Sequence, residues 1–112
     1  MSPITTHVLD TRLGTPAVGV KVTLAVKVGD DWREIGHGVT NDDGRITDLL
    51  PLGSVRIGLY RLCFDTGPYF QSTGVAGFYP EVSISFEVSD EADHFHVPLL
   101  LSPFGYSTYR GS

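Results

Sequence analysis

Val82-Ser-Ile-Ser-Phe-Glu-Val88 alternates without interruption, with Val82, Ile84, Phe86 and Val88 at one parity and Ser83, Ser85 and Glu87 at the other. Successive side chains of an extended chain point to opposite faces, so this period of two predicts a strand with one face on a core and one in solvent. Similar short runs recur on both sides of it, separated by Gly, Pro, Asn and Asp clusters, and that spacing predicts an all-β sandwich or barrel.

Working outward, residues 4–10 read as a first strand and residues 18–28 as a second, with Val20, Val22, Leu24 and Val26 in phase. Gly29-Asp-Asp31 marks a turn before residues 32–39. Asn41-Asp-Asp-Gly44 marks a tighter one, because Asn, Asp and Gly tolerate left-handed backbone angles, and Arg45 follows it directly. Residues 54–64 read as a strand in which Val55, Ile57 and Leu59 alternate, and residues 68–75 are the only stretch suited to a short helix. Residues 94–101 and 106–112 read as a closing hairpin. Pro98 conflicts with a central position there, since proline lacks a ladder donor and is usual at edges and bulges.

Length and composition bound the rest. At 112 residues the chain has room for one core, so residues 1–112 are expected to form a single domain. With 41% hydrophobic residues it can bury enough surface to fold. A formal charge of -5, with Lys and Arg scattered singly, gives no footprint for nucleic acid. The lone Cys63 precludes an intrachain disulfide and sits in an apolar run where buried packing is expected. The first residues carry neither a charged nor an apolar leader segment, and no run approaches membrane-spanning length, so a cytoplasmic location with no membrane contact is the expectation.

Few residues carry chemistry. There is no phosphate-binding glycine loop, no nucleophile elbow and no recognisable carboxylate pair. Period two puts His94, His96 and Pro98 on one face of their strand, with Phe95, Val97 and Leu99 on the other. Solvent-facing polar residues are the bland interpretation of that pair. A zinc site would need further ligands that nothing in the sequence fixes. His7, alone in an apolar strand, reads first as a structural histidine, and Arg45 as a solvated loop charge. The terminal Tyr106-Ser-Thr-Tyr-Arg-Gly-Ser112 is richer in aromatics than a frayed end, which suggests self-association.

Taken together, His7-Val-Leu-Asp-Thr11, Gly14-Thr-Pro-Ala17, Asn41-Asp-Asp-Gly-Arg45 and His96-Val-Pro-Leu-Leu-Leu-Ser-Pro-Phe-Gly-Tyr-Ser-Thr-Tyr-Arg-Gly-Ser112 resemble the 5-hydroxyisourate hydrolase family. The likeness runs from about Ile4 to Ser112, where family members also end. It departs mildly at Phe95, where a tyrosine is common, and in the glycine-rich residues 74–77.

The resemblance implies a transthyretin-like two-sheet β-sandwich of about eight strands with one short helix. It also implies a homotetramer, a dimer of dimers with active sites at the dimer-dimer interface. The reaction implied is hydrolysis of 5-hydroxyisourate to 2-oxo-4-hydroxy-4-carboxy-5-ureidoimidazoline in urate breakdown, with water as nucleophile and no cofactor or metal. By the same resemblance His7, Arg45, His96 and Ser112 are catalytic, and Tyr109, Arg110 and Gly111 bind substrate. A histidine is suited to activating water because its unperturbed pKa of about 6.5 leaves it largely neutral at pH 7. Arg45 would hold a carbonyl or developing oxyanion. A non-catalytic carrier of a small hydrophobic ligand is the chief alternative, since the hormone carrier shares the fold. That carrier has lysine at the position of His7 and lacks the second histidine, so His7, His96 and the tail argue against it. An immunoglobulin-like module is a weaker one, since its Cys and Trp spacing is missing.

Overall fold

A computed structural model describes residues 2–112. Two sheets pack face to face. One contains β1 (Ile4–Asp10), β2 (Thr15–Pro16), β5 (Arg45–Ile46), β8 (Phe95–Ser102) and β9 (Gly105–Thr108); the other contains β3 (Lys21–Val28), β4 (Asp31–Val39), β6 (Gly58–Phe64) and β7 (Val82–Val88). The first runs β2-β1-β8-β9, with β5 sharing the outer edge of β1, and the second runs β4-β3-β6-β7. This is the two-sheet all-β sandwich expected from the sequence, with one short helix, α1 (Thr66–Ser72).

The core is the meeting of the two inner faces. Ile4 and Val8 of β1, Val22 and Leu24 of β3, Leu62 and Phe64 of β6, and Leu99 and Leu101 of β8 are all inaccessible or nearly so. Such aliphatic and aromatic burial supplies the main driving force for closing one sheet on the other. Val82 and Val88 of β7 join them, while Ile84 and Phe86 are only partly covered because β7 is an edge strand.

Four expectations are corrected. The strand at 54–64 begins only at Gly58, and its buried phase is Tyr60, Leu62 and Phe64, so Ile57 is left exposed and Leu59 half-buried. The Tyr60 hydroxyl accepts from the Arg56 N–H and donates to the Arg56 carbonyl, folding residues 54–57 away from the ladder. That phase turns Cys63 outward, half-buried, with Sγ 3.3 Å from Ser83 Oγ. The helix starts two residues before Pro68, which is tolerated because first-turn N–H groups have no intrahelical acceptor. It docks through buried Tyr69 and Phe70.

Pro98 is the fourth, for it lies buried in β8, between β1 and β9. β9 pairs with β8 from Ser102↔Gly105 to Leu99↔Thr108, and the same register resumes only at His96↔Gly111. The interruption falls where the proline has no donor to give. Thr108 Oγ1 donates to the Pro98 carbonyl at 2.7 Å, so the proline's polar edge faces β9.

Candidate active site

The outer face of the β1–β8 sheet carries the residues left over from the core. In β1, Ile4, Thr6, Val8 and Asp10 point inward, which sends Thr5, His7 and Leu9 outward. In β8 the inward set is Phe95, Val97, Leu99 and Leu101, which sends His96 outward. The two strands run parallel in register, Thr5 beside His96 and His7 beside Pro98.

Arg45 reaches this face through its turn. Asn41 Oδ1 accepts from the N–H groups of Asp43 (2.9 Å) and Arg45 (3.0 Å), an Asx-type turn, and Gly44 closes it at φ 73°. The Val8 N–H donates to the Gly44 carbonyl at 2.8 Å, clamping the turn onto β1 and leaving Arg45 opposite His7.

A surface depression of about 210 Å³ results, lined by Thr5, Thr6, Arg45, Thr47, His94, His96 and Ser112. Ser112 arrives because the Gly111 N–H donates to the His96 carbonyl at 2.8 Å, tying the tail across β8. Thr5 Oγ1 lies 2.8 Å from His96 Nδ1 and 3.2 Å from His94 Nε2, and the two imidazoles stack at 6.5 Å with an 18° interplanar angle.

Burial and the Arg45 charge both favour the neutral form of the two sheet histidines. Burial lowers the pKa of His7 and of His96 below the ordinary 6.5, and the Arg45 charge lowers each further. For His7 the Asp43 backbone and carboxylate oppose this, and for His96 the neighbouring His7 and His94 add to it. A neutral imidazole beside a guanidinium can take a proton from water while the cation holds an oxyanion.

Of the residues expected at the site, Arg45, His96 and Ser112 line the depression, and His7 lies on the same face opposite Arg45. Gly111 touches His96 itself. Tyr109 and Arg110 line a neighbouring hollow with Ile84, Phe86, Phe95 and His96, the last of which borders both hollow and depression. The Arg110 guanidinium sits 4.8 Å over the Phe95 ring and 3.6 Å from an Asp93 carboxylate oxygen. Thr5, only 4% exposed, went unremarked in the sequence. Period two from His7 was the available signal. Among the described residues no group of three or more His, Cys, Asp or Glu side chains gathers as a metal site, and no helix is long and apolar enough to cross a membrane.

The family model described as Transthyretin, HIUase/Transthyretin family, matches residues 4–111. The chain belongs to this family. It is 46% identical to the 5-hydroxyisourate hydrolase of Mus musculus, covering 99% of this chain and 96% of that protein. Among solved structures, sea bream transthyretin in complex with thyroxine superposes with a TM-score of 0.93 at 34% identity, covering 98% of this chain and 95% of that one. The 5-hydroxyisourate hydrolase of Klebsiella pneumoniae superposes at 0.84 with 38% identity, covering 97% and 98%. Backbone shape therefore does not separate the two branches of the family, since the transthyretin superposes better and the hydrolase is closer in sequence. The side chains on the outer face must make that distinction.

Proposed function

We propose that this protein hydrolyses 5-hydroxyisourate to 2-oxo-4-hydroxy-4-carboxy-5-ureidoimidazoline, with water as nucleophile. The observation that carries the reading is the meeting of Arg45, His96 and Ser112 in one depression, with His7 beside Arg45 on the same face. A site that is only a ligand channel has no need of two neutral imidazoles flanking a cation.

In this reading an imidazole takes a proton from water as the oxygen attacks the ring carbonyl. Arg45 holds the developing oxyanion with directional donors that do not titrate. The ring C–N bond then breaks, and the imidazolium returns its proton to the departing nitrogen. His7 and His96 share the proton handling, and the Ser112 hydroxyl orients water or substrate.

The site would be completed by a second copy of the chain. Phe104, Phe78 and Tyr106 are 73%, 68% and 43% exposed, apolar surface of the kind covered on association. A homotetramer, a dimer of dimers in the cytoplasm, fits that exposure and gives Tyr109 and Arg110 a route to a neighbouring chain's site.

The test is to generate 5-hydroxyisourate freshly from urate with urate oxidase, add the protein and follow the ultraviolet decay against the spontaneous background. Acceleration that disappears in His7→Asn or His96→Asn supports the hydrolase. Decay at the background rate from folded protein favours the second reading, a carrier of a small hydrophobic ligand, for which the 0.93 TM-score to transthyretin speaks. Thyroxine binding without turnover would establish it.

A further inference from the structure

Among the described residues, Thr5 alone touches both imidazoles of the His94–His96 stack through hydrogen bonds. Thr5 is only 4% exposed, and as a β-branched side chain in a strand it has little rotamer freedom. A hydroxyl has one hydrogen to give. Thr5 can therefore donate to only one ring, and when its hydrogen is used within the pair it accepts from the other, so the proton positions of the two histidines are linked.

Two arrangements satisfy the distances and use the hydroxyl hydrogen within the pair. In the first, Thr5 donates to His94 Nε2 and accepts from a proton on His96 Nδ1, which leaves His96 Nε2 with a bare lone pair. In the second, Thr5 donates to His96 Nδ1, which forces the His96 proton onto Nε2 and removes that lone pair. Arg45 lines the same depression and offers only donors, so its charge favours a lone pair over an N–H on the nitrogen that faces away from Thr5. His94 is exposed, so its own proton is accommodated at Nδ1 by solvent.

We propose that Thr5 is a positioning residue that uses His94 as its acceptor to hold the His96 proton on Nδ1, leaving Nε2 as the nitrogen that takes the proton from water. The role given to Nε2 rests on the hydrolase reading; the tautomer itself does not.

The experiment combines long-range 1H–15N correlation spectra of histidine-labelled protein with steady-state kinetics on 5-hydroxyisourate. Wild-type His96 is expected as the Nδ1–H tautomer. Thr5→Val should shift it toward Nε2–H and lower kcat by about 10²-fold, the lower range of a general base's contribution. KM should stay within about twofold, since substrate binding is not what the hydroxyl serves. Thr5→Ser, which keeps the hydroxyl, should stay near wild type in both readouts.

His94→Ala tests the same link from the exposed side if Thr5→Val folds poorly. Freed from His94, the Thr5 hydroxyl should turn to His96 Nδ1, raising the Nε2–H population and lowering kcat. A wild-type His96 protonated on Nε2, a Thr5→Val protein with unchanged tautomer and rate, or a Thr5→Ser protein as impaired as Thr5→Val would each overturn the proposal. A Thr5-dependent Nδ1–H tautomer in a protein that does not accelerate hydroxyisourate decay would uphold the positioning and sink the hydrolase reading instead.

Discussion

Gly111 crosses His96 so closely that a Cβ built on it would stand 2.5 Å from His96 Cδ2 and 3.2 Å from Pro98 Cγ. A glycine is required here by the ring it covers, and φ is not the reason. Gly111→Ala should push the imidazole or lift the tail, and misplacement on the order of 1 Å at a reacting group costs about 10²-fold in rate. The expected outcome is a drop of that size in kcat/KM with a melting temperature close to wild type, because the contact lies outside the core. Wild-type kcat/KM in the alanine variant would show that the tail gives way without consequence.

The acid limb of the pH–rate profile should lie below pH 6.5. Both His7 and His96 have pKa values lowered by burial and then by Arg45, so the neutral form persists to lower pH than in a free imidazole. Arg45→Gln removes one of those causes and should move the limb toward higher pH, besides lowering the maximal rate. An unshifted limb in the variant would mean that some other group controls it.

The same shifts carry a stability consequence. A histidine whose folded pKa lies below its unfolded value binds fewer protons when folded. Its contribution is fully present above the unfolded value of about 6.5 and is lost as pH falls through the folded pKa. Urea midpoints should therefore fall between neutral and mildly acid pH, and the fall should shrink in a His7→Asn, His96→Asn double variant.

Gly44 holds φ 73°, and an added Cβ would stand 2.5 Å from the Val8 carbonyl oxygen. Gly44→Ala should destabilise the protein by more than ~1 kcal/mol, through left-handed strain and the clash together. It should also depress activity, because the turn is what carries Arg45 to His7. Denaturation and turnover measured on one preparation would test both effects, and loss of neither would contradict the role given to the turn.

Asp10, 1% exposed, accepts from the Tyr69 hydroxyl at 2.6 Å and from the N–H groups of Arg12 and Leu13 at 3.0 and 3.2 Å. Tyr69→Phe leaves a buried carboxylate oxygen short of a donor and should cost about 1–3 kcal/mol. Turnover per folded molecule should be unchanged, since Asp10 faces away from His7. Chemical denaturation beside activity would separate the two.

Much was legible before any coordinates. Alternation in residues 82–88 and 20–26 gave the strands and their buried phase, because a period of two has only one way to lie on a core. The motifs around His7, Arg45 and His96 pointed to the family. The segment at 54–64 misled because Val55, Ile57 and Leu59 alternate as well as Tyr60, Leu62 and Phe64 do. Packing of Tyr60, Leu62 and Phe64 into the core, with the tyrosine's hydrogen bonds to Arg56, goes with the phase that enters the ladder.

What the sequence by itself determined was the class of fold, the turn that presents Arg45, and the outward parity of His96, all set by local periodicity and turn chemistry. Tertiary structure alone decided that Thr5, 91 positions from His96 in the chain, is its hydrogen-bond partner. It also decided that Gly111 roofs the same ring while Arg110 turns away to Phe95. The reason is physical: parallel register between β1 and β8, and the crossing of the tail over β8, are properties of strands already packed together, and no stretch of either strand encodes them alone.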